Sequence, residues 1–298
     1  MNRNRLPASR VIALLGALAT AALLASASAA WATAPQQDEN LRLLWSDEFD
    51  TDGSPDPQHW GCERGFVRNR ELQWYQPDNA RCEDGVLVIE ARRERVPNPG
   101  HDPEASSRQR RWAARRSHAE YSSASLTTRG KHAWRYGRLE VKAKIDAQPG
   151  MWPAIWTLGE SGHWPACGEI DLMEYYRGEI LANAAWRGER PRVVWDESRL
   201  PIEELGAGWA DRFHVWRMDW DAESIRLSVD DRLLNEIRVS DADGGGESGQ
   251  NPFSQPHYLI LNLAVGGTNG GDPSGSRFPS RYSIDYVRVY QQLPAVDR

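Results

Sequence analysis

Residues 138–146 alternate strictly. Leu139, Val141, Ala143 and Ile145 are apolar, and Arg138, Glu140, Lys142 and Lys144 between them are charged. A period of two sends one set to each face of a pleated strand, so one face is buried and the other solvated. Ile225, Leu227 and Val229 repeat the pattern against Arg226, Ser228 and Asp230. Residues 86–91, 121–127, 155–158, 170–176, 213–220, 258–265 and 284–290 read as further strands. Asp84-Gly85, Pro149-Gly150, Asp230-Asp231 and Gly266-Gly267 supply turns between them. No helical rhythm intervenes, and no repeat of 20–50 residues is visible. The expected class is all-β, an antiparallel sandwich or barrel.

The first 34 residues stand apart. Arg3, Arg5 and Arg10 are their only charges, and an uncharged Ala/Leu-rich run covers residues 11–37. Ala27-Ser28-Ala29 and Ala30-Trp31-Ala32 offer small-residue cleavage sites. This is the pattern of a secretory signal peptide, the alternative being a weakly hydrophobic membrane anchor. A single domain over residues 35–298 is expected, secreted to the periplasm or beyond, with no membrane attachment after signal removal. Losing the three arginines takes the formal charge from −6 to −9. An acidic surface of that size does not suit nucleic acid. A soluble monomer acting on a polysaccharide is expected.

Cys62, Cys82 and Cys167 make an odd count, so at least one thiol is free. Cys62 and Cys82 lie in loop-like sequence and are candidates for pairing. Residues 92–118 are arginine-rich, with Pro97, Pro99 and Pro103. They read as a long, solvated surface loop with one helical turn near 108–116. The glycines at 266–271 lack the helix start and Gly-Lys-Ser/Thr of a phosphate cradle. Thirteen of the 14 tryptophans lie beyond the leader. Packing absorbs most, and a surplus suits a sugar cleft, where a flat ring covers the apolar face of a pyranose.

Chemistry concentrates in Glu169-Ile170-Asp171-Leu172-Met173-Glu174. Glu169 and Asp171 are two apart and share a strand face. Glu174 would point the other way in a regular strand. One extra residue at Leu172 or Met173, a β-bulge, returns it to the face of the other two. Three acids on one face repel one another. They suit a solvated strand face, a cation site, or a glycosidase, which needs one carboxylate at the anomeric carbon and one carboxylic acid at the leaving oxygen. With the bulge the two glutamates stand about 13 Å apart at Cα. Side chains leaning together reach the ~5–5.5 Å of double displacement. Asp171 between them is placed to hold the nucleophile and to favour a proton on Glu174.

This run resembles the signature of glycoside hydrolase family 16, in the form carrying the extra bulge residue. Partner segments follow in the family's order: Trp45-Ser46-Asp47-Glu48-Phe49-Asp50, residues 69–75, residues 136–140, Trp152-Pro153-Ala154-Ile155-Trp156, residues 164–169, residues 262–267 and residues 285–290. The resemblance covers about residues 40–291. It implies a concanavalin A-like jelly-roll β-sandwich with a concave sugar-binding cleft. It also implies Glu169 as nucleophile, Asp171 as assisting acid and Glu174 as acid/base. Trp164 matches a tryptophan at the sugar next to the cleavage point. Asn69, Trp152, Trp156 and Asn262 match cleft positions, although packing is an alternative role for Trp152 and Trp156. The chemistry needs no cofactor. The resemblance implies a structural calcium on the convex side, held by Glu48, Asp285 and the Gly85 carbonyl.

One stretch departs from the family. Where many laminarin-cleaving members carry a Thr-Leu-His strand, this chain has Leu181-Ala182-Asn183-Ala184-Ala185-Trp186. Asn183 and Trp186 are expected to replace the histidine's contacts. The expected function is a retaining endo-hydrolase of laminarin-type β-1,3-glucan or mixed-linkage β-1,3-1,4-glucan. The alternatives are a galactan hydrolase, a transglycosylase, or a sugar-binding lectin on the same fold. Tyr75 and Trp74 read as structural, and Glu140 as a salt-bridge partner.

Overall fold

The computed structural model describes residues 41–106, 111–189 and 192–292; the expected leader lies outside them. In chain order the strands are β1 (Leu41–Asp47), β2 (Gly61–Cys62), β3 (Gln73–Tyr75), β4 (Ala80–Glu83), β5 (Val86–Ala91), β6 (Val96–Pro97), β7 (His118–Ala119), β8 (Tyr121–Ser123), β9 (Ser125–Thr127), β10 (Gly137–Lys144), β11 (Met151–Gly159), β12 (Glu169–Tyr176), β13 (Glu179–Arg187), β14 (Val193–Pro201), β15 (His214–Trp220), β16 (Ser224–Val229), β17 (Arg232–Arg238), β18 (His257–Val265) and β19 (Ser280–Gln292). One sheet runs β17-β16-β15-β10-β19-β5-β4, with β1 also on β19. The other runs β14-β13-β12-β11-β18-β9-β2. All pairings in both are antiparallel. The fold is the jelly-roll β-sandwich, and the second sheet forms the floor of the cleft.

The alternating residues do what their period requires. On β10, Leu139, Val141 and Ala143 are buried, and on β16 so are Ile225, Leu227 and Val229. They meet Ile155, Ile170, Leu172, Met173, Leu259 and Leu261 from the facing sheet in one core. Each such side chain contributes roughly 1.5–3 kcal/mol by leaving water. The outward Glu140 pairs with Arg217 across β15 at 2.9 Å. Strands β11 and β18 are buried on nearly every residue. Their second face is covered by the segment leading into β3: Leu72 N donates to Val265 O at 2.8 Å, and Val265 N donates to Gln73 Oε1 at 2.8 Å.

Three expectations are corrected. Residues 121–127 are two strands: β8 pairs in parallel with β3, while β9 joins the cleft sheet. Segment 92–118 is more than a solvated loop. The expected helical turn is present as α1 (Arg111–Ala114), but the segment also pairs β6 with β7, and two of its arginines grip the body of the protein. Arg93 Nη2 donates to the carbonyls of Pro273, Ser274 and Ser276 at 3.2, 2.9 and 3.4 Å. Arg116 donates to Glu71 O at 2.6 Å and lies 5.0 Å from the Phe66 ring centre. Cys62 and Cys82 are unpaired: β2 and β4 belong to opposite sheets, and all three thiols are free. The glycine run also holds an unexpected single helical turn, α2 (Gly267–Gly270). No described helix is long and apolar enough to cross a membrane.

Ile170 is fully buried between the sheets, whereas Arg226 stands exposed on the opposite face. Ile170→Ala is expected to lower unfolding free energy by about 2–5 kcal/mol, and Arg226→Ala by no more than about 0.5 kcal/mol, in urea titrations. Equal costs would contradict the assignment of faces.

Candidate active site

The bulge forms where the spacing of the acids requires it. Along β11 the register pairs Ala154 with Glu174 and Ile155 with Met173, then Trp156 with Asp171, skipping Leu172. Along β13, Asn183 faces Asp171 and Leu181 faces Glu174, so Leu172 and Met173 together oppose Ala182. Both side chains enter the core. Glu169, Asp171 and Glu174 therefore line one cleft of about 670 Å³ on the outer face.

Each acid has its own partners. Trp152 Nε1 donates to Glu174 Oε1 at 2.8 Å, and Asn183 Nδ2 donates to Oε2 at 3.4 Å. Burial, with the charge of Glu169 adding to it, pushes Glu174 up to about 7. Trp164 Nε1 donates to Glu169 Oε2 at 2.5 Å. Burial raises Glu169 too, while Asp171, Trp164 and the Arg68 charge pull it back. Asp171 is 2% exposed and is driven well above the carboxylate range by burial and the two glutamate charges. It shares a side-chain hydrogen bond with Glu169. Two ionised carboxylates cannot share one, so a proton lies between them.

Local sequence explains the placement. Trp164 rides on the 160–168 loop, tied down by Gln255: its Oε1 accepts from Ser161 N at 2.8 Å, and its Nε2 donates to Cys167 O at 3.0 Å. Gly159 lets that loop approach, since a Cβ there would stand 2.1 Å from Cys167 O. Trp152 and Trp156 are four apart on a regular strand and share the cleft face. Both are largely buried, so they combine packing with a polar contact into the site. Trp156 Nε1 donates to Asn262 Oδ1 at 2.7 Å, and Asn262 Nδ2 donates to Tyr75 Oη at 3.2 Å. Asn69, in the left-handed region at φ 51°, reaches Glu71 at 3.3 Å. Burial pushes the Cys167 thiol up to about 11, which leaves it un-ionised and a poor nucleophile.

Two expectations are not met. Trp186 lies outside the cleft: it is three residues from Asn183, hence on the opposite face of β13, and packs against Phe253 at 5.9 Å between ring centres. The carboxylates named for calcium are each already engaged by a cation. Glu48 is held by Arg288 through bonds of 2.9 and 2.7 Å, and Asp285 pairs with Lys142 at 2.5 Å. Among the described residues no group of three His, Cys, Asp or Glu side chains could hold a metal. With both carboxylates neutralised, these side chains do not fit a cation site.

The cleft also recruits residues that sequence reading missed. Arg68 lies over the Trp156 ring at 4.9 Å and pairs with Glu63. Glu71, Tyr176 and Arg177 line the walls, and Trp195, Glu197 and Arg199 come from β14. The last three stand at i, i+2 and i+4, a strand-face signal present in the sequence. Arg68 sits in irregular backbone, where no periodicity could mark it.

The family model described as "Glycosyl hydrolases family 16" matches residues 74–288. The chain belongs to glycosyl hydrolase family 16. It is a glycoside hydrolase. It is 37% identical over 272 residues to the beta-glucanase of Rhodothermus marinus, covering 84% of this chain and 85% of that protein. The catalytic domain of an endo-1,3-beta-glucanase (laminarinase) from Thermotoga petrophila superposes with a TM-score of 0.69 at 33% identity, covering 85% of this chain and 99% of that one. A structure from work on endo-acting O-glycanases of the human gut microbiota that initiate mucin breakdown gives 0.76 at 36% identity, covering 86% and 92%. The chain spans about a third to just over half of the length of four further relatives.

The raised Glu174 links the site to stability. Between its ordinary value of 4.5 and about 7 the folded protein keeps a proton that the unfolded chain has released. Stability from this group is full below about 4.5 and is lost as pH rises through 7. Glu174→Gln is expected to flatten the fall in melting temperature between pH 5 and 7.5. An unchanged slope in that variant would contradict a raised Glu174.

Proposed function

We propose that this family 16 hydrolase is a retaining endo-β-glucanase, cleaving β-1,3-glucan or mixed-linkage β-1,3-1,4-glucan by double displacement. One observation carries the mechanism: the bulge brings two glutamates of one strand into one cleft with different hydrogen-bond partners. Glu174, raised to about 7, is still substantially protonated at neutral pH and can give its proton to the leaving oxygen. Burial raises Glu169 as well, but it accepts bonds from Trp164 and Asp171 and feels the Arg68 charge, and these oppose that rise and favour a carboxylate able to attack the anomeric carbon.

The first step forms the bond between Glu169 and the anomeric carbon and breaks the glycosidic bond, whose oxygen takes the Glu174 proton. Esterification removes the charge on Glu169. That charge is one of the causes holding Glu174 up, so Glu174 becomes more acidic once the intermediate forms. As a carboxylate it then takes a proton from water, the hydroxide displaces Glu169, and both groups return to their starting states. Asp171 holds Glu169 in line throughout.

The β-glucan reading is supported by the Rhodothermus marinus and Thermotoga petrophila relatives. A second reading, an endo-acting hydrolase of mucin O-glycans, is favoured by the mucin-directed structure at 36% identity. Reducing-end release from laminarin, lichenan, agarose, carboxymethyl-cellulose and mucin O-glycans separates them. The expectation is release from laminarin or lichenan, absent in Glu169→Ala. Glu174→Ala should be about 10²–10⁴-fold slower on polymer and least impaired on aryl glycosides with good leaving groups. Full activity in both variants would overturn the assignment.

A further inference from the structure

The cleft extends past the catalytic strand to the edge of its sheet, and a tryptophan stands there. Of the tryptophans in the described residues, two are well exposed, Trp164 at 50% and Trp195 at 41%. Both line the cleft. Trp164 is accounted for by its bond to Glu169. Trp195 has neither a hydrogen bond nor a ring contact among the described residues, yet a bare indole on an edge strand invites unwanted pairing.

Register places it. Leu158, Glu169, Ala185 and Trp195 form one row across β11, β12, β13 and β14. Trp195 is thus two strands from the nucleophile, about 10 Å at ordinary strand spacing. The side chain between them in that row is the methyl of Ala185, itself covered, while Glu169 and the indole on either side of it line the cleft. The mount is firm. On the opposite face of β14, Asp196 Oδ1 accepts from Asn235 Nδ2 at 3.0 Å and Ser198 Oγ donates to Leu234 O at 2.6 Å. Along the cleft face beside Trp195 lie Glu197 and Arg199, paired at 3.3 Å. Flat apolar surface next to fixed donors and acceptors is what a pyranose needs: its C–H face stacks and its hydroxyls bond at the rim.

We propose that Trp195 is a stacking platform for a sugar of the polysaccharide on the β14 side of the cleavage point, with Glu197 and Arg199 contacting that sugar's hydroxyls, and that it sets the dependence of cleavage on chain length. This rests on the glycosidase reading above. It requires only that the substrate be a chain long enough to cross β13.

The test uses the polymer that the wild-type protein cleaves and its oligosaccharides in order of length. Trp195→Ala is expected to raise KM for the polymer about tenfold, with a loss that shrinks as the oligosaccharide shortens. Trp195→Phe should recover most of the polymer affinity. A KM unaltered at every length would overturn the proposal. So would a loss equal at every length and shared by Trp195→Phe, which would make the indole a structural element. Cleavage of a galactan and of no β-glucan by the wild type would end the β-glucan reading alone, and the same series run on that galactan would still decide the role of Trp195.

Discussion

The site depends on a local irregularity in one strand. Leu172 and Met173 both turn into the sandwich core, against the alternation that holds elsewhere. Without the bulge, the five-residue gap would send Glu174 into the core and leave Glu169 without a partner. The bulge is held because the core rewards two buried apolar side chains in succession, each contributing roughly 1.5–3 kcal/mol. Packing on the inner face thus fixes the spacing of the acids on the outer one.

That spacing crowds three carboxyl groups into a buried floor, an arrangement that repels itself once fully ionised. The surroundings reduce the cost in two ways. Glu174 is raised to about 7 and Asp171 is driven well above the carboxylate range, which lowers the charge carried near neutral pH. Indole N–H groups from Trp152 and Trp164, and the Arg68 guanidinium, supply the rest. Those donors come from β11 and from loops anchored to the sheet, so they stand ready before substrate arrives, as electrostatic catalysis requires.

Where a residue's role follows from period and spacing, the sequence was readable. The alternation at 138–146 marked a half-buried strand, and the five-residue gap from Glu169 to Glu174 marked the bulge. Trp186 shows how the same rule was misapplied, since a residue three from Asn183 cannot share its face. Trp195, Glu197 and Arg199 obey the rule on an edge strand whose mixed composition hides it. Long-range contacts left no trace in sequence. The grip of Arg116 on Glu71 O joins residues 45 apart, and that of Arg93 on Pro273 O joins residues 180 apart. The calcium expectation came from the family resemblance, which does not report what each carboxylate pairs with in this chain. Arg288 and Lys142, each supplied from a neighbouring strand, engage both carboxylates.

The central claim is that the bulge brings Glu169 and Glu174 together as nucleophile and acid/base of a double displacement. The most direct measurement is the anomeric configuration of the first-formed reducing ends, followed by proton NMR before mutarotation. The account predicts that β-linked substrate first yields the β-anomer. Initial appearance of the α-anomer would mean a single displacement by water, and would contradict Glu169 as a nucleophile.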